Sequence, residues 1–154
     1  MDGLPITELA LRLGAATLCG ALVGFDREVR HKPAGIRTLA LVALGAALMT
    51  LAVMAFTDRG NATRGIQGVI TGVGFLGAGV ILRTQDGSGV TGITTAASIW
   101  LVAGLGVACA LGQWPLVAVT GVMVVLVFTI GDRIEGWLRH RTDRRRAARD
   151  PAQG

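Results

Sequence analysis

Hydrophobic and polar positions fall into long blocks along this chain, without the short periods of an amphipathic helix or strand. Nearly uninterrupted apolar blocks cover residues 9–25, 39–56, 66–82, 93–111 and 114–131. Each has about 17 to 19 residues, and a helix rises about 1.5 Å per residue, so each nearly or fully crosses a hydrocarbon core of about 30 Å. Because such blocks leave no polar face for water, they predict an all-α polytopic membrane bundle of about five transmembrane helices.

The basic residues lie beside the apolar blocks and are unequally divided between the two sides of the membrane. The chain has 15 Lys and Arg residues, and all but Arg12, Arg59 and Arg64 lie in the first loop, the third loop or after residue 131. The positive-inside rule therefore predicts an external amino terminus and a cytoplasmic carboxyl terminus. Although the formal net charge is +5, this placement favours a membrane orientation signal over nucleic-acid binding.

Composition supports a multi-pass protein of the membrane, with the lipid bilayer as its first partner. Only 16% of the residues are charged, whereas soluble domains have roughly 25%. We expect a transmembrane domain over residues 1–138 and a basic cytoplasmic tail over 139–154. The first residues carry acids and no Lys or Arg, so the first span is expected to be retained and not cleaved as a signal.

The two cysteines are predicted to lie at different depths. Counted from the predicted ends of their spans, Cys19 and Cys109 differ by about 12 Å along the membrane normal. A disulfide needs Cα atoms within about 7 Å. We therefore expect two separate reduced thiols that serve as small packing residues.

Glycine is abundant, with 23 residues, and many of these lie inside the spans. Small residues spaced by four let helix backbones approach closely in lipid. Packing within the chain is the favoured interpretation, and homodimerisation or a gating helix is the alternative. The stretch 72–79 predicts either a tightly packed helix or a locally broken one. The glycines expected to pack helices are Gly20, Gly24, Gly68, Gly72, Gly74, Gly77 and Gly79.

Polar residues converge on the predicted cytoplasmic boundary and form the candidate site for an ion or a partner. Asp26 and Glu28 are acids close to several arginines, which favours a charge network that fixes the loop. A Mg²⁺ ion bound by both carboxylates, or the binding of a proton or partner, remain alternatives, and no cofactor is predicted. Pro33 is expected in the first turn of the second span. The candidate residues are Asp26, Arg27, Glu28, Lys32, Arg37, Thr38, Arg83, Thr94 and Thr95.

Three segments together resemble the MgtC/SapB family of bacterial inner-membrane proteins. They are GFDREVRHKPAGIRTLALVALGAAL at 24–48, GVGFLGAGVIL at 72–82 and VTGITTAASIWLVAGLGVA at 90–108. The resemblance implies a small helical protein, linked in some members to growth at low magnesium, survival in host cells and inhibition of the ATP synthase. The family motifs fall on three groups of residues. They are Asp26, Arg27, Glu28, Lys32, Pro33, Gly35, Arg37 and Thr38 around the first loop, Gly72, Gly74, Gly77, Gly79 and Arg83 in and after the third span, and Gly92, Thr94, Thr95 and Trp100 around the fourth.

Two departures from the family pattern accompany the resemblance. Several members have a histidine where this chain has Leu39, so any role of that histidine is absent. Virulence-type members also carry a soluble carboxy-terminal domain. We expect this chain to be the transmembrane part alone, because only about twenty residues follow the fifth span.

Two functions are consistent with these features. The first is a non-enzymatic regulatory or accessory protein that acts through a membrane partner, with the ATP synthase suggested by the resemblance and a homo-oligomer as a further possibility. The alternative is a small oligomeric ion or solute transporter or channel, with Thr94, Thr95 and Ser98 lining a path. No ionisable residue lies at the centre of a span, which disfavours charge transport. An enzyme is not expected, since no catalytic spacing, GxSxG motif or phosphate loop is present.

Overall fold

Five α-helices follow one another along the chain. The computed structural model describes the backbone of residues 4–56, 59–83 and 91–147, and the side chains of these residues except at 59–62, 82–83 and 132–147. All five helices are long and apolar enough to span a membrane, which confirms the predicted all-α multi-pass architecture. They are α1 (Ile6–Val29), α2 (Ile36–Phe56), α3 (Arg59–Arg83), α4 (Ile93–Ala110) and α5 (Trp114–Ala147).

The helices extend beyond the apolar blocks. α1 continues to Val29, so that Asp26, Arg27 and Glu28 belong to the helix, and α2 begins at Ile36, ahead of the predicted residue 39. Hydropathy marks where lipid contact ends, whereas helical hydrogen bonding continues until a cap stops it. The prediction for Pro33 is wrong, because this proline lies in the turn before α2 and not in its first turn.

The turns after α1 and α4 share one geometry. Lys32 N–H donates to the Arg27 carbonyl at 2.9 Å and Gln113 N–H donates to the Ala108 carbonyl at 3.0 Å, the six-to-one bond of a Schellman motif. The residue in the left-handed position is Gly112, with φ 70°, after α4 and His31, with φ 53°, after α1. The turn after α1 therefore has a side chain where glycine is the usual residue.

The chain divides into two units, Met1–Val119 and Thr120–Gly154, and α1 to α4 form the body of the first. Within that unit α4 contacts each of α1, α2 and α3. In α4, 56% of the span is buried, against 11% of the span in α3. α4 is therefore the central helix, and the outward faces of α1 and α3 carry exposed apolar side chains, among them Leu22 and Phe75, as expected for contact with lipid.

Small residues set how closely the central helices approach. A Cβ atom on Gly20 would collide with the main chain of Leu39, and one on Gly106 would collide with the main chain of Ala43. A Cβ on Gly24 would lie 2.6 Å from the Ile36 Cα atom. α1 and α4 thus each pack against the backbone of α2, which is the contact that small residues permit in lipid.

The glycine-rich stretch of α3 is helical without interruption. Gly77 faces α4, where an added Cβ would lie 3.5 Å from the Ala96 Cβ. The remaining predicted packing glycines of this helix, Gly68, Gly72, Gly74 and Gly79, have no neighbour within 4 Å of an added Cβ among the described residues. Of the two alternatives for this stretch, the structure contains the intact helix, with most of its glycines facing outward.

The depth estimate for the cysteines is wrong. Cys19 and Cys109 are both unbonded thiols, as expected, but their side chains interact across the α1–α4 contact. The estimate assumed that α1 and α4 end at the same level, whereas Arg12, the seventh residue of α1, already reaches the carbonyl of the last residue of α4. The two thiols therefore meet inside the bundle.

Candidate functional site

Arg27 is the buried charge at the end of the bundle where α1 meets α4. Its side chain is only 3% exposed. Nη1 donates to the Ser98 hydroxyl at 3.0 Å and Nη2 donates to the Thr95 hydroxyl at 2.6 Å. Nε and Nη2 also donate to the Pro33 carbonyl, at 3.2 and 2.8 Å. The guanidinium therefore connects α1, the α1–α2 turn and α4, and we call this set the Arg27 network.

Every hydrogen-bond partner of Arg27 is a neutral oxygen. The Ser98 hydroxyl donates its own proton to the Thr94 carbonyl at 2.7 Å, which leaves its oxygen free to accept from Arg27. Among the described residues, the ion pairs are Arg12 with Glu8 and Arg30 with Asp26, so no carboxylate compensates the Arg27 charge directly. Burial of a charge costs several kcal/mol, and this network offsets the cost with charge-assisted hydrogen bonds.

The two candidate carboxylates are separately engaged. Asp26 accepts hydrogen bonds from Arg30 Nε at 3.0 Å, one turn along α1. Glu28 Oε2 accepts the Ile36 N–H at 2.9 Å and so caps α2. Residues two apart on a helix point to different sides, and the two carboxylates do not converge on one point. No group of three His, Cys, Asp or Glu suited to a metal ion occurs in the described part of the chain.

A polar cleft of about 820 Å³ lies beside the Arg27 network at the α1–α2 turn. Two of its cations, Lys32 and Arg37, are exposed, as is Thr38. Glu28 occupies the cleft wall above Gly35, where an added Cβ would lie 2.5 Å from Oε2. We call this cavity the α1–α2 cleft; its lining residues are Glu28, His31, Lys32, Pro33, Gly35, Arg37 and Thr38.

The structure divides the predicted candidates between these two sets. Arg27 and Thr95 are in the network, whereas Glu28, Lys32, Arg37 and Thr38 line the cleft. Asp26 pairs with Arg30 instead, Thr94 is exposed and contributes its carbonyl, and the side chain of Arg83 lies outside the described residues.

The sequence did not identify two hydrogen-bond acceptors of Arg27, namely the Pro33 carbonyl and the Ser98 hydroxyl. Their sequence signals differ. Ser98 follows Thr94 and Thr95 at helical spacing, so it lies on the same face of α4. The Pro33 carbonyl had no such signal, because a main-chain oxygen is available at every residue.

The fold and the site define a small multi-pass helical membrane protein whose helix ends are joined by a buried arginine beside a basic cleft. The MgtC family model matches residues 13–137, and the chain belongs to this family. It is 49% identical over 104 residues to Protein MgtC of Salmonella typhimurium, which covers 68% of this chain and 44% of the relative. It is 39% identical over 123 residues to Protein MgtC of Brucella abortus, covering 80% and 51%.

These comparisons confirm the family resemblance. The chain spans about half the length of the relatives it matches. No solved structure matches the chain.

Proposed function

We propose that this chain is a non-enzymatic regulatory or accessory protein of the bacterial inner membrane that acts through a membrane partner under magnesium limitation. The family resemblance supports the link to magnesium. The distribution of basic residues supports an external amino terminus and a cytoplasmic carboxyl terminus. In this orientation the Arg27 network and the α1–α2 cleft face the cytoplasm.

The observation that carries the proposal is an open apolar groove between α2 and α3, with a volume of about 720 Å³. Gly45, Gly68 and Gly72 lie in it, and a Cβ added to any of them would have no neighbour within 4 Å among the described residues. The other lining residues are Leu41, Val42, Ala46, Met49, Val53, Gly65, Val69, Val73 and Leu76.

A transmembrane helix of a partner protein is the occupant that this lining favours. Lipid tails give helices no hydrophobic drive to associate, so close van der Waals contact over small residues supplies the attraction. The lining of α3 extends from Gly65 to Leu76, about 16 Å or three turns at 1.5 Å per residue. The ATP synthase is the candidate partner that the family resemblance suggests.

The test fills the groove without altering the fold. Gly72→Leu adds a side chain that would block an incoming helix, and Gly14→Leu is the matched control, because Gly14 is equally open but lies on α1. A deletion strain complemented with each variant is grown over a range of magnesium concentrations, and partners are recovered by crosslinking. We expect Gly72→Leu to lose both complementation and crosslinking at normal protein level. Full activity of Gly72→Leu would contradict the groove as the partner site.

The transport alternative has its own test. Thr95 and Ser98, which would line the path, both accept hydrogen bonds from the buried Arg27 cation, and a fixed positive charge repels cations. We therefore expect proteoliposomes to show no flux of Mg²⁺, K⁺ or H⁺ above empty vesicles. A flux abolished by Asp26→Asn would favour a transporter instead.

A further inference from the structure

The α1–α2 cleft combines an accessible cavity with cations that form no ion pair with any described residue. Its lining includes Lys32 and Arg37, and neither forms an ion pair in the part of the chain that the structure describes. Both side chains are exposed, so an incoming ligand can reach them. The cleft therefore offers two cationic side chains to a ligand.

Among the described residues, the acid in the cleft wall is Glu28, and its side chain already accepts a hydrogen bond from the main chain. Glu28 Oε2 accepts the Ile36 N–H at 2.9 Å, and Gly35 leaves room for it, because an added Cβ would lie 2.5 Å from that oxygen. A carboxylate that caps a helix is held by a charge-assisted hydrogen bond. Glu28 is thus held against the start of α2 and does not pair with Lys32 or Arg37.

Arg27 adds a third positive charge directly behind the cleft. Two of its hydrogen bonds go to the Pro33 carbonyl, and Pro33 lines the cleft. The guanidinium is 3% exposed and hydrogen-bonds only to neutral oxygens, and the neighbouring Asp26, which is paired with Arg30, is the carboxylate that interacts with its charge. A buried charge is screened less by salt than an exposed one, which makes the cleft a favourable place for an anion.

The beginning of α2 adds hydrogen-bond donors and the positive end of a helix dipole to the cleft. α2 starts at Ile36; the Ile36 amide is taken by Glu28, and the amides of Arg37 and Thr38 follow it in the first turn, at the positive end of the dipole. Thr38, with an exposed hydroxyl, lies in this first turn and lines the cleft. An anion between Arg37 and Thr38 would meet a guanidinium, a hydroxyl and the helix dipole together.

We propose that the α1–α2 cleft binds a phosphate-bearing anion. Arg37 presents the planar fork that matches two phosphate oxygens, and Lys32 contributes a compact point charge. The phosphate belongs either to an anionic lipid headgroup, since the apolar spans of α1 and α2 end at this turn, or to free phosphate in solution. This ligand is separate from the partner helix in the α2–α3 groove, so either proposal can fail without the other.

Binding to the full chain in detergent micelles tests the proposal. Three probes are titrated by calorimetry, namely inorganic phosphate, short-chain phosphatidylglycerol and short-chain phosphatidylcholine, in which choline compensates the phosphate charge. Binding of phosphatidylglycerol alone assigns the ligand to lipid, binding of inorganic phosphate alone assigns it to solution, and binding of both shows that the phosphate group itself is recognised. The proposal is overturned if neither binds, or if phosphatidylcholine binds as tightly as phosphatidylglycerol.

Variants separate the cleft from general surface charge. We expect Arg37→Gln to weaken binding about tenfold, as loss of a charge-assisted hydrogen bond does, and Lys32→Gln to weaken it by a smaller factor. Arg64→Gln is the control, because Arg64 is an exposed arginine on α3, outside the cleft. The affinity of this variant for the phosphate-bearing probe should be unchanged. Equal weakening by Arg64→Gln would overturn the proposal. Circular dichroism of each variant checks the helix content, and Lys32→Gln serves if Arg37→Gln does not fold.

Discussion

Arg12 Nη1 donates a hydrogen bond to the carbonyl oxygen of Ala110 at 2.6 Å. The contact joins the beginning of α1 to the last residue of α4, where the carbonyls have no helical partner and the dipole is negative. The same guanidinium pairs with Glu8 through Nε at 2.8 Å. Arg12 thus closes the bundle at the end opposite Arg27.

We expect Arg12→Met to lower the free energy of unfolding by about 1 to 3 kcal/mol, because it removes a charged donor from a helix end. Chemical unfolding in detergent micelles measures the change. Glu8→Gln is the control; it weakens only a partly exposed ion pair, so the expected loss is below about 1 kcal/mol. Equal losses in the two variants would assign the effect to the ion pair and not to the helix end.

Thr95→Val is expected to lower the free energy of unfolding by about 1.5 to 3 kcal/mol. Valine has nearly the same shape but cannot accept the hydrogen bond from Arg27, which leaves a buried charge with fewer partners. The matched control is Thr71→Val, because Thr71 is exposed on α3 and its hydroxyl donates only to the Gln67 carbonyl of its own helix. That change should remain within about 0.5 kcal/mol. A similar loss in both would show that Thr95 contributes no more than a typical threonine.

Gly106→Ala is expected to destabilise the bundle by about 1 to 3 kcal/mol, since its methyl group would overlap the Ala43 main chain and force α2 and α4 apart. Gly104→Ala lies on the same helix in open space. It should be neutral or stabilise by up to about 1 kcal/mol, through helix propensity. Thermal unfolding of the two variants in one detergent shows whether each substitution stabilises or destabilises the protein. Destabilisation by both substitutions would argue against a close approach of α2 and α4 at Gly106.

Cys19 and Cys109 are expected to form an intramolecular disulfide when the purified protein is treated with a copper–phenanthroline oxidant. Their side chains already interact, and a disulfide requires Cα atoms within about 7 Å, so we expect the two thiols to come within reach of each other. Intact-mass measurement should show the loss of two hydrogen atoms, and proteolysis between α1 and α4 should leave fragments joined until reduction. Cys19→Ala must abolish both signals. Failure to form the disulfide would show that the two thiols lie at different depths, as the sequence predicted.

His31→Gly is expected to stabilise the turn after α1 by up to about 1 kcal/mol. A side chain in the left-handed region costs about 1 to 2 kcal/mol, and part of the gain is lost to the greater freedom of glycine in the unfolded chain. The reverse change at the matching turn, Gly112→Ala, should destabilise, because φ is 70° and an added Cβ would lie 3.1 Å from Arg12 Nη2. Unfolding midpoints that move in the same direction would contradict this account.

Hydropathy predicted the number and order of the helices but not their ends. Apolar length reports the thickness of lipid, while α1 continues through Asp26, Arg27 and Glu28 because each of these side chains finds a partner. The partner of Asp26 is one turn away on the same helix, and that pairing is readable from spacing. The partners of Arg27 lie on another helix, and that pairing depends on tertiary packing.

The sequence predicted that the candidate residues lie at one membrane boundary, but it did not predict which of them contact one another. Placing Arg27 and Thr95 at the same end of the bundle required only the threading of the spans. Assigning Thr95 to the Arg27 network, and Arg37 to the cleft instead, required the rotation of each helix about its axis, which nearly all-apolar spans do not encode. The error for Cys19 has the same origin, since the sequence does not give the stagger between α1 and α4.

The hydrogen bonds of Arg27 impose an order on membrane insertion. Thr95 and Ser98 follow Arg27 by 68 and 71 residues, so α1 is synthesised and inserted before either hydroxyl exists. Until α4 emerges, the Pro33 carbonyl is the one partner of the network already synthesised, and the other guanidinium donors can bond only to water or headgroups at the bilayer surface. The first helix therefore reaches its final packed position only after the fourth has been synthesised, when Arg27 exchanges water for the hydroxyls of Thr95 and Ser98.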